Sequence, residues 1–274
     1  MSPSQPRTVR ARRRRSGFRS LLGLYCALVF FFLMAPLFVV FPISFSAARY
    51  LSFPPPGFSW QWYESYLNDP SWIQATVTSI KVALGTTVLA TLLGTLAAFS
   101  LVRGHYPGRA WVDRLVAAPI IVPNIIIAVA LYGVFARFRL IGEWYGVMLG
   151  HTIYAIPFVV LVVGAALRTF DANQEQAAMG LGASRLGAVW RITLPQIRPS
   201  IVSAAFLAFI TSFDELIIAL FTSGTNATLP KKMFENIIFE IDPTIAAVSV
   251  LQILLVALVV ALASRFGVGV NPIR

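Results

Sequence analysis

Long apolar segments separated by short polar connections dominate this chain. A helix that crosses about 30 Å of hydrocarbon needs about 20 apolar residues, and six stretches reach that length. The predicted spans are Leu21–Ile43, Ala75–Val102, Val112–Phe135, Tyr145–Leu167, Ile201–Thr222 and Thr244–Phe266. The pattern therefore predicts an all-α, polytopic membrane protein with about six transmembrane helices.

Proline interrupts two of these predicted spans. Pro119 and Pro123 lie in the third span and Pro157 lies in the fourth. Proline removes a helical hydrogen bond, so both spans are expected to kink. Neighbouring helices in a bundle satisfy the carbonyl groups that a kink releases.

Composition excludes a soluble globule. With 57% hydrophobic and 12% charged residues, the chain has too little polar surface to cover a soluble domain of its size. A net charge of +11 is compatible with nucleic-acid binding. However, an arginine cluster abuts the first span, where it sets topology and meets anionic lipid. We therefore expect contact with membrane lipid and none with nucleic acid.

The first apolar stretch is too long for the core of a signal peptide, which favours an uncleaved anchor.

The distribution of arginine and lysine predicts the orientation in the membrane. Basic residues collect on the cytoplasmic side of membrane proteins. With the N-terminus inside, the inner connections and C-terminus carry nine arginines beyond the basic tail, against five basic residues outside. The predicted organisation is a basic cytoplasmic tail (1–20), a transmembrane domain (21–267) and a cytoplasmic C-terminal tail (268–274).

The longest outer connection, from Ser44 to Trp72, is rich in proline and aromatic residues. Pro54-Pro55-Pro56-Gly57 prevents a span there, and five aromatic residues follow, namely Trp60, Trp62, Tyr63, Tyr66 and Trp72. Aromatic rings with one polar edge settle at the level of the lipid head groups. We expect a short helix at the outer interface, with a substrate-binding role for these rings as the alternative.

The chain lacks the sequence features of a catalyst. His105 and His151 have no cysteine or carboxylate at metal-ligand spacing, so no metal site is expected. The sequence contains no nucleophile elbow, no zinc-protease helix and no phosphate-binding glycine loop. We predict that the chain is not an enzyme and needs no cofactor.

The connection between the fourth and fifth spans, residues 168–199, carries two short motifs and is called the motif loop below. The first motif is Glu175-Gln176-Ala177-Ala178-Met179-Gly180-Leu181-Gly182, and the second is Ile192-Thr193-Leu194-Pro195. Asn173 or Asp171 is suited to cap a helix with Glu175 in its first turn. Gly180 and Gly182 permit a turn. A second short helix, starting at Ala183-Ser184-Arg185, is then predicted to end before Pro195.

These motifs and their spacing resemble the signature of the membrane-spanning subunits of bacterial ATP-binding-cassette (ABC) importers. In that family Glu-Ala-Ala, three residues, Gly, nine residues and Ile-x-Leu-Pro form the element on which a separate ATPase docks. Gln176 stands where the family usually has glutamate, which puts the strength of docking in doubt. The resemblance assigns ATPase docking to Glu175, Gln176, Ala177, Ala178, Gly182, Ala183, Ser184, Arg185, Ile192, Leu194 and Pro195.

Three arginines of the motif loop, Arg185, Arg191 and Arg198, have two possible partners. Guanidinium groups suit carboxylates on an ATPase. They equally suit lipid phosphates.

Two adjacent acids, Asp214 and Glu215, interrupt the fifth predicted span. A carboxylate at membrane depth is costly, by about 3 kcal/mol on insertion scales, so it usually faces protein or water and marks a pathway. One reading places Asp214 and Glu215 on a translocation path for a cationic solute. The other is that the helix is shifted or broken here and that the acids bind backbone donors or an arginine of a partner subunit.

The region around these acids is similar to the spermidine/putrescine branch of the importer permeases. The matching strings are Ser212-Phe213-Asp214-Glu215, Phe221-Thr222-Ser223-Gly224 and Thr228-Leu229-Pro230. The resemblance implies the type I importer permease fold and a polyamine or related cationic amine as solute. It also implies a cytoplasmic ATPase dimer, a second permease that is preferably homologous, a periplasmic or extracellular solute-binding protein, and a bacterial inner-membrane location with both termini cytoplasmic. The alternative is an ion-coupled secondary transporter that uses Asp214 or Glu215.

Overall fold

The computed structural model describes residues 9–239 and 242–267, with side chains over residues 20–239 and 242–265. The predicted C-terminal tail (268–274) lies outside the described residues, as do residues 1–8 of the predicted basic tail. The helices are α1 (Val9–Ser44), α2 (Gln61–Asn68), α3 (Pro70–Arg103), α4 (Arg109–Ile121), α5 (Asn124–Arg137), α6 (Trp144–Thr169), α7 (Asn173–Gly180), α8 (Arg185–Ala188), a π-helical turn (Val189–Thr193), α9 (Leu194–Phe213), α10 (Ile217–Thr222), α11 (Leu229–Phe239) and α12 (Thr244–Gly267).

The number of membrane-spanning helices agrees with the sequence prediction. Five helical stretches in the described residues are long and apolar enough to cross a membrane, and the bent pair of α4 and α5 makes six if it counts as one span. The all-α, polytopic fold class is therefore confirmed.

The described chain forms two compact units. The first comprises the chain up to Glu64 together with Asp242–Val250, and the second comprises the rest. In the first unit, the rings of Phe45, Trp60 and Tyr63 cluster after α1. The indole Nε1 of Trp62 donates a hydrogen bond to the carbonyl oxygen of Ser46 at 2.8 Å. The predicted short helix in this aromatic segment is present as α2, and its position at the membrane interface stays a prediction.

Helices α3, α6 and α9 form the core of the second unit. Their contact surfaces are rich in small residues, including Ala90, Ala98, Ala155, Ala204 and Ala208, all of which are fully buried. Small side chains let membrane helices approach closely, which increases van der Waals contact where no hydrophobic effect drives association. Gly94 is one such position, since a Cβ there would lie 2.7 Å from the side chain of Val159. The core therefore depends on close helix packing.

The third predicted span is two helices rather than one kinked helix. Helices α4 and α5 meet at an angle of 109° across Val122 and Pro123. Pro123 has no N–H to continue the helix, and its ring pushes Val122 out of helical conformation. Val122 accordingly has extended backbone angles. By contrast, α6 continues as one helix through Pro157, which is buried.

The fifth predicted span, Ile201–Thr222, was wrong at both ends. The helical stretch begins at Arg185, continues through the π-helical turn into α9, and ends at Phe213. The prediction that the second helix of the motif loop ends before Pro195 was wrong for the same reason. Pro195 lies in the first turn of α9, where a missing N–H is tolerated.

Candidate functional site

The motif loop folds as two short helices joined by a glycine turn. Asp171 Oδ1 accepts a hydrogen bond from the N–H of Asn173 at 3.0 Å, next to the start of α7. Gly182 follows α7 with a φ of +92°, a left-handed conformation that favours glycine. Ser184 Oγ then caps α8 by accepting a hydrogen bond from the N–H of Gly187 at 3.1 Å. The expected glycine turn is therefore present, whereas the residue directly before α7 is Ala172, which has no side-chain cap, and Asp171 bonds the N–H of Asn173.

The two neighbouring polar residues of the first motif face different surroundings. Glu175 binds within its own chain, where its Oε1 accepts hydrogen bonds from Arg103 Nη1 and Thr193 Oγ1. Its side chain is only 13% exposed. Gln176, by contrast, is exposed. Glu175 was predicted to contact the ATPase. Its carboxylate is instead already bound by Arg103 and Thr193 of its own chain.

The surroundings of Glu175 keep it ionised. Burial by itself raises the pKa of this carboxyl group. The hydrogen bonds from Arg103 and Thr193, together with the positive charges of Arg103 and Arg185, outweigh burial and hold the pKa below its ordinary value. Glu175 is therefore a carboxylate at neutral pH.

The outward surface of the motif loop combines exposed leucine, small and polar residues with the exposed arginine Arg185. Leu181 is 90% exposed and Leu186 is 68% exposed. The remaining predicted docking residues divide by exposure. Gln176, Ala177, Gly182, Ser184, Arg185 and Pro195 are exposed, whereas Ala178, Ala183, Ile192 and Leu194 are half-buried. Ile192 and Leu194 of the second motif thus lie at the base of the loop, whereas most of the first motif, Arg185 and Pro195 are on its surface.

Asp214 and Glu215 lie at a break between α9 and α10 and also face different surroundings. Glu215 is 5% exposed. Its Oε2 accepts hydrogen bonds from the backbone N–H groups of Ile218 at 2.8 Å and Ala219 at 3.3 Å, so it caps the first turn of α10. The reading in which an acid binds backbone donors at a broken helix therefore describes Glu215.

Asp214 is exposed and lines a cavity of about 440 Å³. Helices α5, α6 and α9 and the break itself contribute the walls, which are formed by Asn124, Tyr154, Phe158, Ile210, Thr211, Asp214, Glu215, Leu216 and Ile217. The rings of Tyr154 and Phe158 pack edge to face at 5.7 Å between centroids. The cavity thus combines an accessible carboxylate with aromatic rings and an amide.

His151 is a functional candidate that sequence reasoning considered only as a metal ligand. It is completely buried in α6. Its Nδ1 is 2.9 Å from Ser212 Oγ, and its Nε2 is 3.4 Å from Glu215 Oε2. These contacts hold the end of α9 and the break against α6. A histidine within an apolar span was the available signal, but its partners are 61 and 64 positions away and could not be read from the sequence.

Lys231 is a second buried polar residue that the sequence did not single out. Its Nζ donates hydrogen bonds to Ser223 Oγ at 3.0 Å and to the carbonyl oxygen of Gly224 at 2.5 Å. Asn226 Nδ2, in the same connection, donates to the carbonyl oxygen of Gly142 at 2.6 Å. The connection between α10 and α11 is therefore fixed by polar contacts.

Comparison with known proteins places the chain in a family. Residues 90–271 match the model of the binding-protein-dependent transport system inner membrane component. The chain is 31% identical over 243 residues to the spermidine/putrescine transport system permease protein PotC of Haemophilus influenzae, covering 88% of this chain and 94% of the relative. It is 34% identical over 245 residues to the putrescine transport system permease protein PotI of Escherichia coli K12, covering 86% of each.

A solved structure shows the same fold. A chain of a bacterial ABC transporter involved in the import of the acidic polysaccharide alginate superposes with a TM-score of 0.70 and 15% identity, covering 97% of this chain and 100% of that one. The importer permease fold predicted from the sequence is thereby confirmed. This chain belongs to the binding-protein-dependent inner-membrane transport components, the multi-pass permease subunits of bacterial ABC importers, and is not itself an enzyme.

Proposed function

We propose that this permease conducts a polyamine or a related cationic amine, and that Asp214 is the carboxylate that meets the solute. The observation that carries the proposal is the exposure of Asp214 to a cavity that also holds Tyr154 and Phe158. An ammonium group is attracted both to a carboxylate and to the face of an aromatic ring. The similarity to PotC and PotI, which covers 88% and 86% of this chain, supports a cationic amine as the solute.

Glu215 has a different task in this proposal. Its carboxylate oxygen is occupied by the backbone of α10 and faces His151. A carboxylate engaged in this way stabilises the break that presents Asp214 and is not available to replace the hydration of a moving cation. Within the predicted translocation path, Asp214 therefore contacts the solute and Glu215 positions Asp214.

The motif loop, residues 168–199, is the proposed docking element for a cytoplasmic ATPase dimer. Its exposed surface is formed by Gln176, Ala177, Leu181, Gly182 and Arg185, and it projects from a base that includes Ile192 and Leu194. Small residues allow a partner to approach the backbone closely. With this loop on the cytoplasmic side, both termini are cytoplasmic and a solute-binding protein delivers the solute to the opposite side.

One permease chain needs a second permease to enclose a pathway, and we propose a homologous subunit in that position. ATP binding would bring the two motif loops together and open the path outward, and hydrolysis would reset it. The permease contributes two discrete arrangements, and ATP and solute each favour a different one.

The test is uptake by proteoliposomes that hold the complex purified from its native membrane, with ATP enclosed and the solute-binding protein outside. The expected result is putrescine uptake that requires ATP and the solute-binding protein, and whose KM rises in Asp214→Asn with assembly intact. ATP-dependent uptake that is indifferent to Asp214→Asn contradicts the assigned role. Uptake by this chain alone, driven by an ion gradient, would instead identify a secondary transporter.

A further inference from the structure

Within the motif loop, helix α7 has few side-chain links to the core of its own subunit. None of the residues of α7 is buried. In the described part of the chain, the side-chain hydrogen bonds from α7 to the helical core come from two residues, Glu175 and Gln174. Gln174 makes a single exposed hydrogen bond, in which its Oε1 accepts from Gln196 Nε2 at 2.5 Å. Among the side chains of α7, Glu175 is therefore the main polar link to the core.

Arg103, the first partner of Glu175, is itself held in place. It is the last residue of α3, and its guanidinium carbon lies 5.6 Å from the ring centroid of Phe99 and 5.3 Å from that of Phe170. Phe99 belongs to α3 and Phe170 directly follows α6. A planar guanidinium that is stacked on rings loses little further freedom when it binds a carboxylate. The ion pair with Glu175 is therefore attached to a rigid base at the ends of α3 and α6.

Thr193, the second partner, connects the same carboxylate to α9. It is completely buried and is the last residue of the π-helical turn, directly before Leu194. A π-helical turn inside an α-helix is uncommon and is frequently found at functional sites. Glu175 thus joins the docking helix α7 to α3, to the end of α6 and to the start of α9, which are the three helices of the core.

We propose that Glu175 transmits movement of the motif loop to the core of the permease, and that it does not contact the ATPase. The inference rests on the proposed function, because it requires that an ATPase docks on this loop. The adjacent residues Gln176 and Glu175 then have different roles in coupling the ATPase to the permease. Gln176 lies on the exposed surface that meets the partner, and Glu175 passes the displacement to α3 and α9. Glu175 is a positioning residue in this scheme, since it acts through Arg103 and Thr193.

The charge of the loop surface follows from the same arrangement. Between Asn173 and Ser200 the only carboxylate of the sequence is Glu175, while the arginines of this stretch, Arg185, Arg191 and Arg198, are exposed. With Glu175 engaged by Arg103, the outward surface of this stretch presents cations and no carboxylate. The complementary surface on the ATPase is expected to be neutral or acidic.

The decisive variant is Glu175→Gln, with Gln174→Ala as its matched control on the same helix. Each complex is purified with its ATPase, reconstituted, and assayed for ATP hydrolysis and solute uptake in parallel. For Glu175→Gln we expect the ATPase to co-purify at the wild-type ratio while the solute transported per ATP falls by about tenfold, the size of an ordinary coupling between two sites. Gln174→Ala is expected to keep the wild-type ratio.

A second readout separates transmission from docking. Hydrogen exchange of the α7 amides in the permease without ATPase should become faster in Glu175→Gln and Thr193→Val, because α7 loses its attachment. A residue that only contacts the ATPase would leave this exchange unchanged. Arg103→Lys keeps the charge but loses the planar stacking, so it should show a smaller defect of the same kind.

Three results would overturn the proposal. These are a wild-type transport ratio in Glu175→Gln, loss of ATPase co-purification in that variant, or unchanged exchange of α7 in both Glu175→Gln and Thr193→Val. A wild-type permease that binds no ATPase at all would refute the proposed function itself, and the purification step identifies that outcome before any variant is made.

Discussion

The motif loop and the break between α9 and α10 have different proposed functions but share one arrangement of side chains. Each carries two adjacent polar residues, and in each the two side chains have opposite surroundings. Glu175 and Glu215 are engaged by their own chain, whereas Gln176 and Asp214 are exposed. The inward residue stabilises the local fold, and the outward residue is available to a partner or solute. Adjacent polar residues in a permease therefore need not share a function.

The two inward carboxylates differ in what binds them. Glu175 pairs with an arginine and a threonine, at the ends of core helices. Glu215 accepts hydrogen bonds from two backbone N–H groups and lies beside a buried histidine. The first arrangement links separate elements, and the second starts a short helix. Loss of Glu175 should therefore affect coupling, and loss of Glu215 should affect stability.

The largest expected effect is that of Asp214→Asn on transport. A hydrogen bond to a charged group contributes about 1.5–3 kcal/mol, so its loss should raise the KM for putrescine about 10- to 100-fold. Asp214→Glu keeps the charge and should retain part of the activity. Uptake of radiolabelled putrescine measures both, and Glu143→Gln, at an exposed acid outside the cavity, is the control. Equal KM values for Asp214→Asn and the control would remove Asp214 from the path.

Glu215→Ala should act on stability first. The change leaves two buried N–H groups without an acceptor, and each such group costs about 1–3 kcal/mol. Glu215→Gln should be milder, because its amide oxygen can still accept. Thermal unfolding of the purified permease in detergent measures the difference. An unfolding temperature equal to that of wild type, combined with abolished uptake, would show that Glu215 works on the path instead.

Gly182→Val should disturb the motif loop without affecting membrane insertion. Gly182 has a φ of +92° and no atom within 4 Å of a Cβ placed there, so the strain is in the backbone and not in a clash. A side chain forced into an unfavourable backbone region costs about 1–3 kcal/mol. Solute-stimulated ATP hydrolysis should fall. Gly180→Ala, where φ is not positive and space is also open, should behave as wild type, and an equal loss in both variants would contradict this account.

The smallest expected effect is the pH dependence of the motif loop. Since the pKa of Glu175 is depressed in the folded protein, its stabilising contribution is complete above the ordinary glutamate pKa and is lost as the pH falls through the depressed pKa. Protection of the α7 amides, corrected for intrinsic exchange, should therefore stay constant near neutrality and decline only in acid. Glu175→Gln should lack this decline, and a wild-type decline near neutral pH would be inconsistent with the assignment.

Much of the fold could be predicted because apolar length determines membrane spans almost independently of tertiary contacts. The second and sixth predicted spans differ from α3 and α12 by a few residues at most. The consequence of proline was less predictable. Pro123 separates two helices by 109°, whereas α6 continues through Pro157. The sequence alone could not distinguish these cases, since the difference depends on the neighbours that satisfy the backbone groups that each proline releases.

The motif loop was identified from spacing, but the direction of its side chains was not. Glu175 and Gln176 are equally polar, and only the positions of Arg103 and Thr193 show which one turns inward. Asp214 and Glu215 are likewise equally polar, and the sequence does not show which of them turns inward. His151, which lies beside Glu215, belongs to a helix about 60 residues away in sequence. Long-range contacts of this kind leave no local pattern.

The most direct test of the divided roles is the rate at which a cationic thiol reagent modifies cysteine at position 214 compared with position 215. Asp214→Cys and Glu215→Cys are made in a chain in which Cys26, the single native cysteine, is replaced by serine. We expect rapid modification at position 214, slowed by putrescine at concentrations above the raised KM of this variant, and slow modification at position 215. Similar rates at both positions, or no protection by putrescine at position 214, would contradict it.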